Sequence, residues 1–357
     1  MTGAERLEAR RAAVREWMGE AEVDALLVSA APNVRWLTGF TGEGLLVLDE
    51  DGALLCTDSR YTVQALEEAP ELEAASDGSH LDQAIERINA GGGERAGFES
   101  GHVTYASFQR LQEALEGVEA VGLEDRIKRL RAIKDEAEVA LVRRAASVAD
   151  AAFAELRGRI EPGMTEREAA EELRRQMVLG GAEGPSFETI MASGPNGAKP
   201  HARPGDREII EGDLIVIDWG AVVEGYCSDC TRTVIVGEPD DRQREVWLAV
   251  REAQVAALEG LRPGMAGREV DAIAREVLRE RGFEREFGHG LGHGVGLEVH
   301  ELPSVGQKSE NVVPVGSVVT IEPGVYIEGW GGVRLEELVL VTEDGAEPLT
   351  LSPYDLA

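Results

Sequence analysis

A seven-residue segment recurs along this chain. Pro162-Gly163-Met164-Thr165-Glu166-Arg167-Glu168 returns as Pro263-Gly264-Met265-Ala266-Gly267-Arg268-Glu269, and each copy opens an amphipathic helical pattern followed by a glycine-containing turn and strand-like runs. Self-similarity at this spacing is the signature of a duplicated unit. The chain beyond the first copy is therefore expected to form two related halves about a pseudo-two-fold axis. Thr165 and Glu168 have the spacing of a capping box, which sets the start of the first of these helices.

At 357 residues the chain has room for more ahead of the duplicated part, and length suggests two domains or one large one. A charged helical pattern from Glu5 to Met18 precedes ALLVSA and GLLVL, a turn signal at Asp49–Gly52, and ALLCT. Helical patterns resume from Arg60 and again near His80 and Phe108. This is an α/β pattern, without a metal-type cluster or a phosphate-cradling loop, and it reads as a supporting domain. His80 and His102 stand alone there and read as surface residues. From about Lys128 to Gly158 a charged helical stretch is expected both to link the domains and to begin the second.

The net charge is −31, and Lys128, Lys134, Lys199 and Lys308 are the only lysines. Such a surface repels phosphate backbones, which argues against a nucleic-acid partner. No apolar run approaches a membrane span, and the opening MTGAERLEARR has no apolar signal region, so a cytoplasmic location is expected. Three cysteines in a chain this long make no disulfide framework.

Chemistry concentrates in the duplicated part. LIVID ends an apolar run in Asp218, a costly place for a carboxylate without a cation. If Glu224-Gly225 makes a tight hairpin turn, residues 223 and 226 pair, 218 faces 231, and Asp229 lies diagonal to Asp218 on the same face. Two carboxylates then meet, as a metal site or an acid dyad. Cys227 and Cys230 flank Asp229, but a continuous strand sends their thiols to opposite faces, so they read as packing rather than as a zinc or redox pair.

FGHGLGHGVGLEVHE has glycine at every second position from Gly288 to Gly296. That period predicts an extended segment carrying His289, Leu291, His293 and Val295 on one face, its histidines about 13 Å apart, with glycines on the other face admitting close backbone approach. One histidine can ligate an ion while the other contacts substrate. VVTIEPG places Glu322 after an apolar run, and GGVRLEELVLV carries Glu336 and Arg334 on one face and Glu337 on the other. Asp218, Asp229, Glu322 and Glu336 clustered without cations would have steeply raised pKa values, and two divalent ions would neutralise them. Oxygen donors with one imidazole favour manganese, cobalt, iron or zinc in a catalytic site over a closed sulfur-rich zinc site.

In RAIKDEAEVALVRRAA, IDWGAVVEGYCSDCTRT, HGLGHGVGLEVHE, IEPG and VRLEE, in that order, the chain resembles the pita-bread metallopeptidases, in particular the prolidase and aminopeptidase P branch. The resemblance implies a creatinase-like α/β domain (residues 1–126) followed by an α+β pita-bread domain with an internal pseudo-two-fold duplication (residues 127–357). It implies a dinuclear site of Asp218, Asp229, His293, Glu322 and Glu336, with manganese the foremost ion. Glu322 would handle the proton, and His289 and His300 would contact substrate and the developing intermediate. His201 and Arg334 would bind substrate, Arg334 near its carboxylate or behind the ligands, and Thr231 would hydrogen-bond a ligand carboxylate. The implied reaction is attack of a metal-bridging hydroxide on the carbonyl preceding proline, in dipeptides or short peptides, by a homodimer. Prolidase is the leading reading and aminopeptidase P the runner-up. Methionine aminopeptidase ranks lower because it generally lacks the N-terminal domain. A non-catalytic peptide-binding module or a metal-free creatinase-type hydrolase would be expected to have lost ligands.

Overall fold

The apolar runs of the N-terminal part become one mixed sheet in the computed structural model, which describes residues 2–124 and 126–356. Its strand order is Glu73–Ala75, Ala53–Cys56, Leu45–Asp49, Ala25–Val28, Arg95–Glu99, Glu119–Leu123. The first helix, Gly3–Glu20, is fixed by a Thr2/Glu5 capping box. The Asp49–Gly52 turn is closed by Gly52 donating its amide to the Asp49 side chain at 2.8 Å. Helices Thr62–Glu68, His80–Ala90 and Tyr105–Ala114 lie where the sequence shows helical patterns. His80 and His102 take nearby partners, Asp58 at 3.2 Å and the Ser29 hydroxyl at 3.1 Å. No described helix is long and apolar enough to cross a membrane.

The chain divides between Leu130 and Arg131 into two units, four residues past the boundary read from sequence. The linking stretch is not one helix. A short helix, Arg126–Arg131, stops, and a second, Glu136–Arg157, starts at Asp135. There the Asp135 carboxylate accepts from Ala137 N and Glu138 N, while Glu138 accepts from Asp135 N. That capping box gives the backbone donors of a new first turn their partners, so the long charged pattern breaks.

The two copies of the repeated segment have the same surroundings. Gly163 N donates to Ile209 O at 2.9 Å and Gly264 N to Val313 O at 2.8 Å. Isolated bridges join Thr165 to Glu208 and Ala266 to Val312. Both glycines have φ near +90°, a conformation open to glycine at little cost. Each copy leads into a helix, Glu166–Leu179 and Gly267–Glu280, that packs on the longer helix before it, Glu136–Arg157 and Asp241–Gly260. The first copy has the full capping box. Ala266 has no oxygen to offer, so in the second only the Glu269 carboxylate, accepting from Ala266 N at 2.7 Å, is in place.

Each half has its own apolar core. In the first, Phe153 stacks on Trp219 at 4.3 Å between centroids, beneath Leu173, Met177 and Ile217. In the second, Val250, Val270, Leu278, Leu291 and Ile321 pack together. Cys230 belongs to the first core, whereas Cys227 sits in a third cluster with Val295 and Leu338. The two thiols therefore point apart, although the strand expected to run through them is interrupted at Ser228 and Asp229, and burial pushes Cys227 up to about 12.

Replacing Thr165 with Ala removes one half of the intact box and should cost about 1 kcal/mol. In a domain this size that is a drop of roughly 2–4 °C in thermal midpoint. Calorimetry of the variant showing no loss would contradict the role given to this cap.

Candidate metal centre

Two hairpins, one from each half, bring the acids together. In the first, Leu214–Trp219 runs antiparallel to Cys230–Ile235, with Asp218 opposite Thr231, and Val223 opposes Tyr226 across the turn. Glu224 and Gly225 have φ of 46° and 75°, the left-handed pair of a type I′ turn. The register stays constant on both sides of Gly220, so Asp229 stands diagonal to Asp218. In the second hairpin, Ile321 opposes Glu337 and Gly324 opposes Arg334. The constant register there sets Glu322 against Glu336.

Direct bonds lock one hairpin to the other. Glu336 N donates to Thr231 O at 3.0 Å, and the Thr233 hydroxyl both donates to Arg334 O at 2.9 Å and accepts from Arg334 N at 3.0 Å. Ligand atoms of Asp218, Asp229 and Glu336 thereby come within 4.8 Å of one another. His293 Nε2 lies 3.6 Å from Asp229 and 3.4 Å from Glu322. With its proton on Nδ1, 3.1 Å from Gly294 O, the ring aims a lone pair at two carboxylates.

These residues fit divalent ions. Asp218 Oδ1 is buried with no hydrogen-bond partner, a costly state for a carboxylate oxygen. Four carboxylates meet one guanidinium, that of Arg334. Burial and then the charges of Glu336, Asp218 and Glu322 push Asp229 well up. Glu336 moves the same way through burial, Glu322 and Asp218. Glu322 is raised to about 8, by burial first and by Asp218, against the pull of Arg334. Burial lowers His293 to about 4, so its ring is neutral at pH 7, the form that ligates a metal.

The surrounding cavity, about 530 Å³, is also lined by Phe187, Ile190, His201, His289, Val299 and His300, a size suited to a small ligand. His201 and His300 are exposed on its walls. The His300 ring lies 4.3 Å from that of His293, centroid to centroid. Thr231 donates to Glu336 Oε2 at 2.7 Å and accepts from Arg334 Nε at 3.1 Å.

Three expectations change. Between Gly288 and Gly296 only Gly292–Gly294 is strand, and its register shifts there. A bulge of this kind re-aims side chains: His289 and His293 face the cavity while Leu291 and Val295 sink into two different cores. The close approaches expected at the glycines do occur. A Cβ on Gly292 would lie 2.0 Å from Thr320 O, and one on Gly294 2.2 Å from Leu302 O.

Four of the five guanidinium donors of Arg334 are already committed within the protein. Its guanidinium binds Asp218, the Thr231 and Tyr326 hydroxyls, and Pro200 O. It sits behind the acids and balances part of their charge. His289 is similarly committed, with Nδ1 2.7 Å from Gly290 O and Nε2 2.9 Å from Tyr326 OH. Tyr326 is the residue that sequence reasoning missed. Its hydroxyl accepts from Arg334 at 2.9 Å, and Gly324 leaves it room, since a Cβ there would lie 2.5 Å away. The only sequence signal for it is the hairpin parity shared by residues 324 and 326.

The raised carboxylates give a sign to the pH dependence of the metal-free protein. Above about pH 7.5 the buried histidines, which titrate from 6.5 when unfolded, are largely neutral in both folded and unfolded chains, so the carboxylates dominate. Glu322 ionises from 4.5 when unfolded but only near 8 when folded. The folded chain thus holds the extra proton, and stability falls as pH rises from about 7.5 through 8. The thermal midpoint of chelator-treated protein should fall over that window, and saturating divalent ion should flatten the slope. A midpoint that rises without metal would contradict the assignment.

Known proteins share the same fold. Residues 140–343 match metallopeptidase family M24, and residues 10–133 match the creatinase/prolidase N-terminal domain. An Xaa-Pro dipeptidase of Pyrococcus furiosus is 39% identical over 96% of this chain and 97% of its own. The structure of an Xaa-Pro dipeptidase from Bacillus anthracis superposes with a TM-score of 0.94 at 38% identity, covering 99% of each chain. That of an X-Pro aminopeptidase from Thermotoga maritima gives 0.88 at 40% identity, covering 94% of this chain and 97% of its own. A duplicated pita-bread domain behind a creatinase-like domain, matched over nearly its whole length by these peptidases, makes this chain a member of metallopeptidase family M24.

Proposed function

We propose that the chain is a metal-dependent exopeptidase that hydrolyses the Xaa-Pro bond, acting chiefly as an Xaa-Pro dipeptidase. The observation that carries this is the convergence of four carboxylates and one neutral imidazole on the floor of a cavity of about 530 Å³, with Asp218 Oδ1 unpaired among them. In this reading Asp218, Asp229, His293, Glu322 and Glu336 hold two divalent ions. Manganese is foremost, with cobalt, zinc and iron compatible with the same donors. The ions supply a water acidic enough to attack at neutral pH and a Lewis acid for the scissile carbonyl.

The chain's own residues do the rest. Glu322, lining the cavity with its carboxylate 3.4 Å from His293 Nε2, takes and returns the proton. His300, exposed on the wall beside His293, donates to the oxyanion. His289 and Tyr326 hold Arg334 in place, and Arg334 and Thr231 orient Asp218 and Glu336. His201 and Phe187 border the space for the peptide. A cytoplasmic homodimer belongs to the same reading, the location supported by three free cysteines and the dimer by the family resemblance. A second reading, an aminopeptidase that releases Xaa from longer Xaa-Pro peptides, is favoured by the likeness to the Thermotoga maritima structure.

One assay separates them. Protein supplied with Mn(II), Co(II) or Zn(II) is incubated with Ala-Pro, Gly-Pro, Ala-Pro-Ala and Met-Ala-Ala. Metal-dependent release from the two dipeptides is expected, with Met-Ala-Ala untouched. Tripeptide cleavage without dipeptide cleavage would shift the assignment to the aminopeptidase, and no cleavage of any would overturn the enzyme reading. Asp229→Ala should abolish activity, while the Cys227→Ala/Cys230→Ala pair should keep most of it.

A further inference from the structure

His293 lies on one arm of a hairpin, Gly292–Gly294 paired with Glu301–Val305, in which Gly294 opposes Glu301, and His300 immediately precedes the other arm. The connection between them, residues 295–300, has no regular structure. Its backbone is tied by a few bonds, Val295 N to Val318 O, Gly296 N to Glu298 O and Cys227 N to Gly296 O. A loop so sparsely bonded does not by its backbone alone hold one shape.

A buried ion cluster fills its centre. The Glu301 side chain is 4% exposed and meets Arg131 and Lys134, at 2% and 1%, with Lys134 Nζ 3.2 Å from Oε2. Glu301 Oε1 also accepts from Glu298 N at 3.0 Å, and Arg131 reaches the Glu298 carboxylate at 2.9 Å. Gly296 is required at the contact, because a Cβ there would lie 2.6 Å from Glu301 Oε2. Burial alone would raise Glu301, yet Lys134 and Arg131 pull it below the usual carboxylate range. The Lys134 backbone is itself anchored, its N donating to Gly316 O at 2.9 Å.

Buried ion pairs contribute little net stability compared with apolar packing, and their best use is to specify one arrangement among several. Here the carboxylate belongs to the residue next to His300. We propose that Arg131, Lys134 and Glu301 form a positioning element that holds the 295–300 loop, and so sets the His300 imidazole over the catalytic cavity beside His293. They act through His300 and touch neither substrate nor the reacting atoms. This rests on the Xaa-Pro peptidase reading for its kinetic consequence and on the loop geometry for its structural one.

A double-mutant cycle tests it. Lys134→Met should lower kcat on Ala-Pro at least about tenfold with a much smaller change in KM, since a displaced oxyanion donor is felt in the transition state. Lys134→Arg should restore kcat to within about twofold of wild type. In a His300→Ala background, Lys134→Met should change kcat by less than about twofold, because its route of action is gone. An equal fold-loss in both backgrounds, or no loss in the first, would overturn the proposal. Should Lys134→Met fail to fold, Glu301→Gln, which keeps the shape of the side chain, takes its place with the same two outcomes. A readout free of catalysis comes from the imidazole nitrogen resonances of His300 in chelator-treated protein. They should shift in the Lys134→Met or Glu301→Gln variant and return in Lys134→Arg, and unchanged resonances would count against positioning. If wild-type protein cleaves no Xaa-Pro peptide, the functional reading fails while the resonances still decide the structural one.

Discussion

Mutual repulsion among Asp218, Asp229, Glu322 and Glu336 is the force around which the C-terminal unit is organised. Buried like charges a few ångströms apart raise one another's pKa values, and Asp229, Glu322 and Glu336 all move upward here. One guanidinium cannot balance four carboxylates. Arg334 nevertheless gives four of its five donors to the cluster and its supports, and the remaining charge is what a pair of divalent cations would neutralise. The frame has to be rigid enough to hold the repelling groups together. Two antiparallel hairpins, bonded to each other through Thr231, Thr233, Arg334 and Glu336, supply that rigidity. Duplication accounts for the arrangement, since each half contributes one hairpin with a pair of acids.

The cavity walls are built on a second theme, in which irregular segments are held by buried acids. Glu166 accepts from Ser193 N, Asn196 and Gly205 N, and so fixes the segment that leads to His201. Asp271 accepts from Leu291 N, while its ion partner Arg275 donates to Phe287 O, next to His289. Glu301 does the same for the loop before His300. Side-chain carboxylates stand in for the backbone ladders these segments lack. The site can then present several histidines on loops without leaving their positions to chance.

Much of this was legible in the sequence because it rests on short-range rules. Alternation along a strand and the geometry of a two-residue turn are enough to set Asp218 diagonal to Asp229 and to part Cys227 from Cys230. The repeated Pro-Gly-Met segment disclosed the duplication, since its glycine and capping glutamate must recur wherever the same turn recurs. Most of what escaped depends on contacts between distant segments. The bulge at Gly292–Gly294 breaks the period on which the shared face of His289, Leu291, His293 and Val295 relied. Tyr326 acquires its importance only when its hairpin brings it to Arg334 and His289. The capping box at Asp135 overrides a helical pattern that runs through it, a case of local hydrogen bonding defeating periodicity.

Anomalous diffraction from crystals equilibrated with Mn(II) tests the central claim most directly. Two strong peaks per chain are expected, both within ligand distance of the carboxylates of Asp218, Asp229, Glu322 and Glu336, with one also against His293 Nε2. No peak at those residues under saturating Mn(II), or density at Cys227 and Cys230 instead, would contradict it.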